Sequence, residues 1–169
     1  MQNILHVIMI TVFGLLFVGT APLQAAGTED TAVDTPAGAS AYDTAKAAVD
    51  AMDYATAKPI LVQLTLDEPD NADAWNLLGY SNRKLGVMDA AAVAYETALK
   101  LNPEHLGALE YQGEMYVETG MIDKAKANLE ALKNLCGDCE QYEDLAKALG
   151  AACYGAASRV CLQAHLTFV

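Results

Sequence analysis

The first 28 residues contain no Lys, Arg, Asp or Glu. Basic residues are scarce throughout: 10 Lys+Arg stand against 22 Asp+Glu, a formal net charge of −12. That scarcity argues against DNA, RNA and anionic membrane surfaces as partners, because neutralising phosphates takes clustered Lys and Arg. Aromatic residues make up only 7% of the chain, and Ala fills much of the apolar quota, which favours close-packed helices over a β-sandwich. No Asn-x-Ser/Thr sequon occurs, a lean towards a bacterial periplasm over a eukaryotic secretory route. Nucleophile elbow, phosphate loop and His-Glu-x-x-His motif are all missing. Beyond the leader only His105 and His165 remain, 60 residues apart, and His105 sits at a junction where a solvated polar residue is expected. The sequence therefore predicts no catalytic residues, no metal and no cofactor.

What is present begins with an uncharged apolar run, Val7 to Gly19, of a length typical of a signal-peptide core and short for a spanning helix. Pro22 and Leu23-Gln24-Ala25 follow as a small-residue cleavage pattern, although the run lacks the usual preceding Lys or Arg. Residues 1–25 thus read as a signal peptide, with an uncleaved membrane anchor over 4–23 as the alternative. No Cys follows the run, which excludes a bacterial lipoprotein anchor. Cys136, Cys139, Cys153 and Cys161 all lie far beyond it, and an even number of cysteines in an exported chain reads as disulfides. Their spacing leaves all three pairings open. Export, most simply to the periplasm, is the expected localisation.

The most informative feature is a period of 34 residues. Trp75, Leu78, Gly79, Gly86, Ala91, Tyr95, Ala98 and Pro103 occupy positions 4, 7, 8, 15, 20, 24, 27 and 32 of a unit starting at Ala72. One period later the slots hold Leu109, Gln112, Gly113, Gly120, Ala125, Leu129, Leu132 and Gly137; one period earlier they hold Ala41, Thr44, Ala45, Met52, Ala57, Leu61, Leu64 and Pro69. Each slot has a physical reason. Position 8 is small because the two helices of a hairpin cross there. Position 15 follows the first helix, where positive φ is wanted. Position 20 is the small contact of the second helix, and a Pro at position 32 ends that helix. The spacing predicts helices over 40–52, 54–67, 72–85, 88–101, 106–119 and 121–134.

These residues resemble the tetratricopeptide repeat, most strongly over 72–105, less over 106–139 and least over 38–71. Asn82, Gln112 and Gly137 depart from the family pattern, and repeat one lacks the aromatic and the turn Gly, so its first helix is expected to pack loosely. The resemblance implies an all-α solenoid of three helix hairpins (38–71, 72–105, 106–139) closed by a capping helix over 140–149. Asp138 and Gln141 read as that helix's capping box. A disordered lead-in over 26–37 precedes the repeats. The end of the third repeat is also similar to that of small exported bacterial members of the family; 150–169 lie outside the resemblance, with Ala156 to Leu166 as a further short helix.

In this family the first helices line a groove through positions 5, 9, 12 and 13. Carried over, those are Tyr42, Lys46, Val49 and Asp50; Asn76, Tyr80, Arg83 and Lys84; Glu110, Glu114, Val117 and Glu118. Glu110, Glu114 and Glu118 are four apart and form one acidic ridge. The implied function is non-catalytic protein–protein interaction, an adaptor or scaffold in the cell envelope gripping a protein or peptide segment, with the ridge guiding a basic one. No membrane binding by the mature domain is expected. The alternative is a thiol redox or metal-binding protein centred on Cys136-Gly-Asp-Cys139. A CxxC motif opening a helix supports disulfide exchange, but no strand of a redox βαβ unit is visible, and a structural disulfide bracing the cap fits better. Zinc on all four thiolates is the third reading.

Overall fold

The computed structural model of the chain describes residues 39–155, with side chains through 152. The leader, the lead-in, the Ala156–Leu166 helix, His165 and Cys161 fall outside the described residues, as does the side chain of Cys153. Seven α-helices follow in order: α1 (Ala41–Asp50), α2 (Tyr54–Asp67), α3 (Ala72–Lys84), α4 (Met88–Leu101), α5 (Leu106–Glu118), α6 (Ile122–Cys136) and α7 (Glu140–Gly155). They form three antiparallel hairpins and a terminal helix, an all-α solenoid with the periodicity read from the sequence. No described helix is long and apolar enough to cross a membrane.

The corner inside each hairpin is one motif repeated. Gly86 and Gly120 take φ of 77° and 75°. Their N–H groups donate to Arg83 and Val117 carbonyls, and the next N–H groups, of Val87 and Met121, reach back to Asn82 and Tyr116. These paired bonds satisfy carbonyls that the helix end would otherwise orphan. Repeat one builds the same corner without glycine. Met52 adopts φ 60°, its N–H donates to the Val49 carbonyl, and the Asp53 N–H donates to that of Ala48. An L side chain is strained there by about 1–2 kcal/mol. Met52→Gly should therefore stabilise the protein by about 0.5–1 kcal/mol, the relief less glycine's own chain entropy. A urea titration reads it; no gain would mean that contacts of the Met52 side chain offset the strain.

Ala45, Ala57, Ala91 and Ala125 are fully buried, as the repeat slots require. Against expectation, α1 does not pack loosely. Ala45 and Val49 join Ala57, Leu61, Leu78 and Ala94 in one core cluster, and Ser40 closes a full capping box with Asp43 at the start of α1. At position 8 the two glycines differ. A Cβ on Gly79 would stand 2.6 Å from ring carbons of Tyr95, so α3 and α4 do cross there. A Cβ on Gly113 would instead strike Leu145, which belongs to α7. The glycine of repeat three thus makes room for the terminal helix.

Other departures are compensated locally. Gln112 is buried in an aliphatic slot, where its Oε1 accepts from Asn128 Nδ2 at 3.1 Å; the same amide donates to the Leu109 carbonyl. Gly137, in place of Pro, ends α6 with φ 69°. The last helix begins at Glu140, with the Glu143 N–H donating to the Cys139 carbonyl. Helix entry is thus one residue later than an Asp138–Gln141 capping box needs. It also runs to Gly155, so 150–155 are helix and not tail. Leu145 and Leu149 are buried with Leu109, Met115, Tyr116 and Leu132 in the second core cluster.

Candidate functional site

The first helices of the three repeats share one face, and a cleft of about 450 Å³ opens on it. Lys46, Val49 and Asp50 come from α1, Leu77, Tyr80 and Lys84 from α3, and Tyr111 from α5; Met52 and Tyr54 join them from the first corner and the start of α2. Its floor is aromatic. Tyr54 meets Tyr80 edge-on with ring centroids 5.8 Å apart, and Tyr80 lies against Tyr111 at 4.6 Å. Such pairs contribute about 0.5–1.5 kcal/mol beyond their area, and they hold the rings in place before any ligand arrives. Burial pushes the Tyr111 hydroxyl up to about 12, so it stays a neutral donor across physiological pH.

Behind the rings lies Arg83, whose side chain is only 2% exposed. Its Nη2 donates to Glu114 at 2.5 Å and its Nη1 to Glu118 at 2.8 Å. The guanidinium also sits 5.5 and 5.9 Å from the ring centroids of Tyr80 and Tyr111, within cation–π range. One buried cation therefore ties α3 to α5 and supports two rings of the cleft floor. On the rim, Lys46 pairs with Asp50 at 2.7 Å on the surface of α1. The Lys84 ammonium stands 5.1 Å from the Tyr80 centroid.

This arrangement corrects the expected ridge. Glu114 and Glu118 are not unpaired, since Arg83 neutralises part of their charge. Glu110 is buried, with 7% of its surface exposed. Desolvation, with Glu114 and then Asp144 and Glu140 of α7 adding repulsion, pushes its carboxyl up to about 8, so near neutral pH it is largely protonated. Asn76 is buried as well, packed near Gly107 at the start of α5. Of the residues expected in the groove, Lys46, Val49, Asp50, Tyr80 and Lys84 line the cleft; Tyr42, Asn76, Arg83, Glu110, Glu114, Val117 and Glu118 do not. Sequence reasoning missed Met52, Tyr54, Leu77 and Tyr111. Leu77 and Tyr111 share position 6, one residue beyond the slot chosen, which was the available signal.

His105, expected as a solvated residue, is mostly covered. It caps α5: Nδ1 accepts from the Ala108 N–H at 3.2 Å, and Nε2 lies 3.0 Å from the Asp73 carboxylate. Cys136 and Cys139 are joined to each other, their Cα atoms 5.7 Å apart. The bond closes the corner between α6 and α7. Among the described residues no group of three or more His, Cys, Asp or Glu is placed to hold a metal; the four-thiolate reading includes Cys161 and cannot be assembled from them.

A stack of helix hairpins of this length, with a cleft across its first helices, defines a helical-repeat solenoid. The tetratricopeptide repeat profile matches residues 42–96 and 87–135, more than half of the sequence, and the chain belongs to that family. Over 82 residues it is 35% identical to the PEX5-related protein of Rattus norvegicus, a match taking in 48% of this chain and 13% of that protein. This chain thus spans only a small part of that relative. Among solved structures it is similar to the type III secretion translocator chaperone SycD of Yersinia enterocolitica, with a TM-score of 0.61, 15% identity, and coverage of 75% of this chain and 92% of that one. PcrH, solved with the chaperone-binding region of PopD, gives a TM-score of 0.58 at 19% identity, covering 68% and 86%. The CopN–Scc3 complex gives 0.55 at 21%, covering 66% and 65%. At these identities the likeness is one of fold.

Proposed function

We propose that this protein is a non-catalytic interaction module, an adaptor or scaffold that holds a segment of a partner protein in the cleft of α1, α3 and α5. The observation that carries the reading is the preformed floor of Tyr54, Tyr80, Tyr111 and Leu77. Rigid, amphipathic rings backed by a fixed guanidinium suit an apolar anchor and lose little entropy on binding. Two of the similar structures hold protein partners, PopD with PcrH and CopN with Scc3, which supports a protein segment as ligand here. The cell envelope is part of the proposal, resting on the uncharged apolar leader and the Cys136–Cys139 bond. The sequence suggested a basic partner, but the pairing of Glu114 and Glu118 with Arg83 weakens that suggestion.

A photo-crosslinking side chain at Leu77, installed in the full chain expressed in cells, should trap a protein. The same group at Val93 of α4, which is 61% exposed, should not. Equal trapping at both positions would sink the cleft as the binding site. Adding Tyr80→Ala should reduce trapping at Leu77 about tenfold or more, the size of effect expected for an aromatic anchor.

A further inference from the structure

The charge around the cleft runs opposite to that of the chain. The whole sequence has 22 acidic and 10 basic residues, yet the cleft lining holds two lysines and one aspartate. The aspartate is engaged, since Asp50 faces Lys46 at 2.7 Å. The next carboxylates along the face, Glu114 and Glu118, are held by Arg83. Lys84 pairs with no carboxylate among the described residues, and its ammonium rests over the Tyr80 ring. Carboxylates more than a Debye length away, about 8 Å at physiological salt, are largely screened. Arg83 offsets one of the two charges of Glu114 and Glu118, and the lining itself carries a net +1 beside the rings.

Resting on the cleft reading above, we infer that the bound segment is acidic at its centre: it seats one large apolar or aromatic side chain against Tyr54, Tyr80 and Leu77 and places an Asp or Glu carboxylate at Lys84. The cleft, at about 450 Å³, accommodates one such side chain with its backbone. A carboxylate there gains the ammonium without breaking an existing ion pair. It can also compete for Lys46, whose exposed pair with Asp50 is of the weak i,i+4 kind. A Lys or Arg in the same place would meet an unpaired like charge, and such juxtaposition discriminates strongly against the wrong partner.

The test is selection of a phage-displayed library of random twelve-residue peptides on the purified full chain at 0.15 M salt. Recovered sequences should be enriched in an aromatic or large aliphatic residue with Asp or Glu within four positions. A synthetic peptide from that set should bind at least tenfold tighter than its Glu→Lys counterpart, and the gap should shrink towards 1 M salt. Lys84 is exposed, so Lys84→Glu leaves the fold intact by circular dichroism and should reverse the preference of the pair. Enrichment of Lys or Arg on the unaltered chain, or a Lys84→Glu variant that still prefers the acidic peptide, would overturn the inference and leave the cleft reading standing. Enrichment no different from that on the Tyr80→Ala variant would overturn both.

Discussion

Arg83→Ala is expected to destabilise the protein by about 2–4 kcal/mol, a large effect for one polar residue. Removing one partner from a buried ion pair usually costs 3–5 kcal/mol, because the other is left buried and uncompensated. Here the rest of the network is only partly covered: Glu114 is half-buried and the Glu118 side chain is 45% exposed, so water can recover some of the loss. Two further losses act the other way. Tyr80 and Tyr111 lose the cation between them, and a cavity opens beneath the floor of the cleft. Arg83→Lys should recover less than half of that loss, since an ammonium cannot serve two carboxylates and two ring faces as a planar fork does. Arg83→Met combined with Glu114→Gln and Glu118→Gln should recover most of it, because apolar replacement of a whole buried network is often neutral. Urea titrations of the four proteins decide it. If Arg83→Ala costs under 1 kcal/mol, the α3–α5 tie is not a structural element of the cleft.

That same network marks where the sequence stopped being legible. The 34-residue period located six helices to within about two residues, because each slot answers a local steric need: a small residue at a crossing, positive φ at a corner, a missing donor at a helix end. Even Met52 obeyed the corner geometry, with strain in place of glycine. The groove was harder. Positions 5, 9, 12 and 13 form one stripe on an ideal repeat, but α7 packs on α5 through Leu145 at Gly113, and its Asp144 and Glu140 act on the buried Glu110. The cleft wall there comes from position 6, Tyr111. Glu114 and Glu118 lie 31 and 35 residues from Arg83, so their pairing is invisible to any pattern along one helix. It becomes visible only when adjacent repeats are laid side by side, where Arg83 at position 12 faces acidic residues at positions 9 and 13 of the next unit. The path of α7 had a weaker signal: it begins one period after α5 and carries Leu145 at position 6, but Glu143, Ala146, Lys147 and Tyr154 do not match the defining slots at positions 4, 7, 8 and 15.

Glu110 gives the second large effect, and its sign runs against the common behaviour of carboxylates. Its folded pKa of about 8 lies above the ordinary 4.5, so the folded state keeps a proton that the unfolded state releases. Between those values the folded protein binds more protons, and stability must fall as pH rises. The favourable contribution is complete below about 4.5, declines through the window and is gone once pH passes the folded pKa. Each pKa unit is worth 1.36 kcal/mol; allowing for water reaching a carboxyl at the edge of α7, the total is expected to be about 2–3 kcal/mol. Glu110→Gln keeps the shape and removes the titration. The variant should match the parent near pH 4.5, exceed it progressively up to pH 8, and hold a constant margin above that. Other carboxylates titrate in both proteins, so the difference between the two curves, not either curve alone, carries the result. The loosened part should be α7, because Asp144 and Glu140 are the groups that meet the new charge across the helix pair. Hydrogen exchange at pH 9 should therefore show α7 amides protected more strongly in Glu110→Gln than in the parent, with α1 and α2 unchanged. A margin that does not vary with pH would place an ordinary ionised carboxylate at position 110 and leave α7 without its pH dependence.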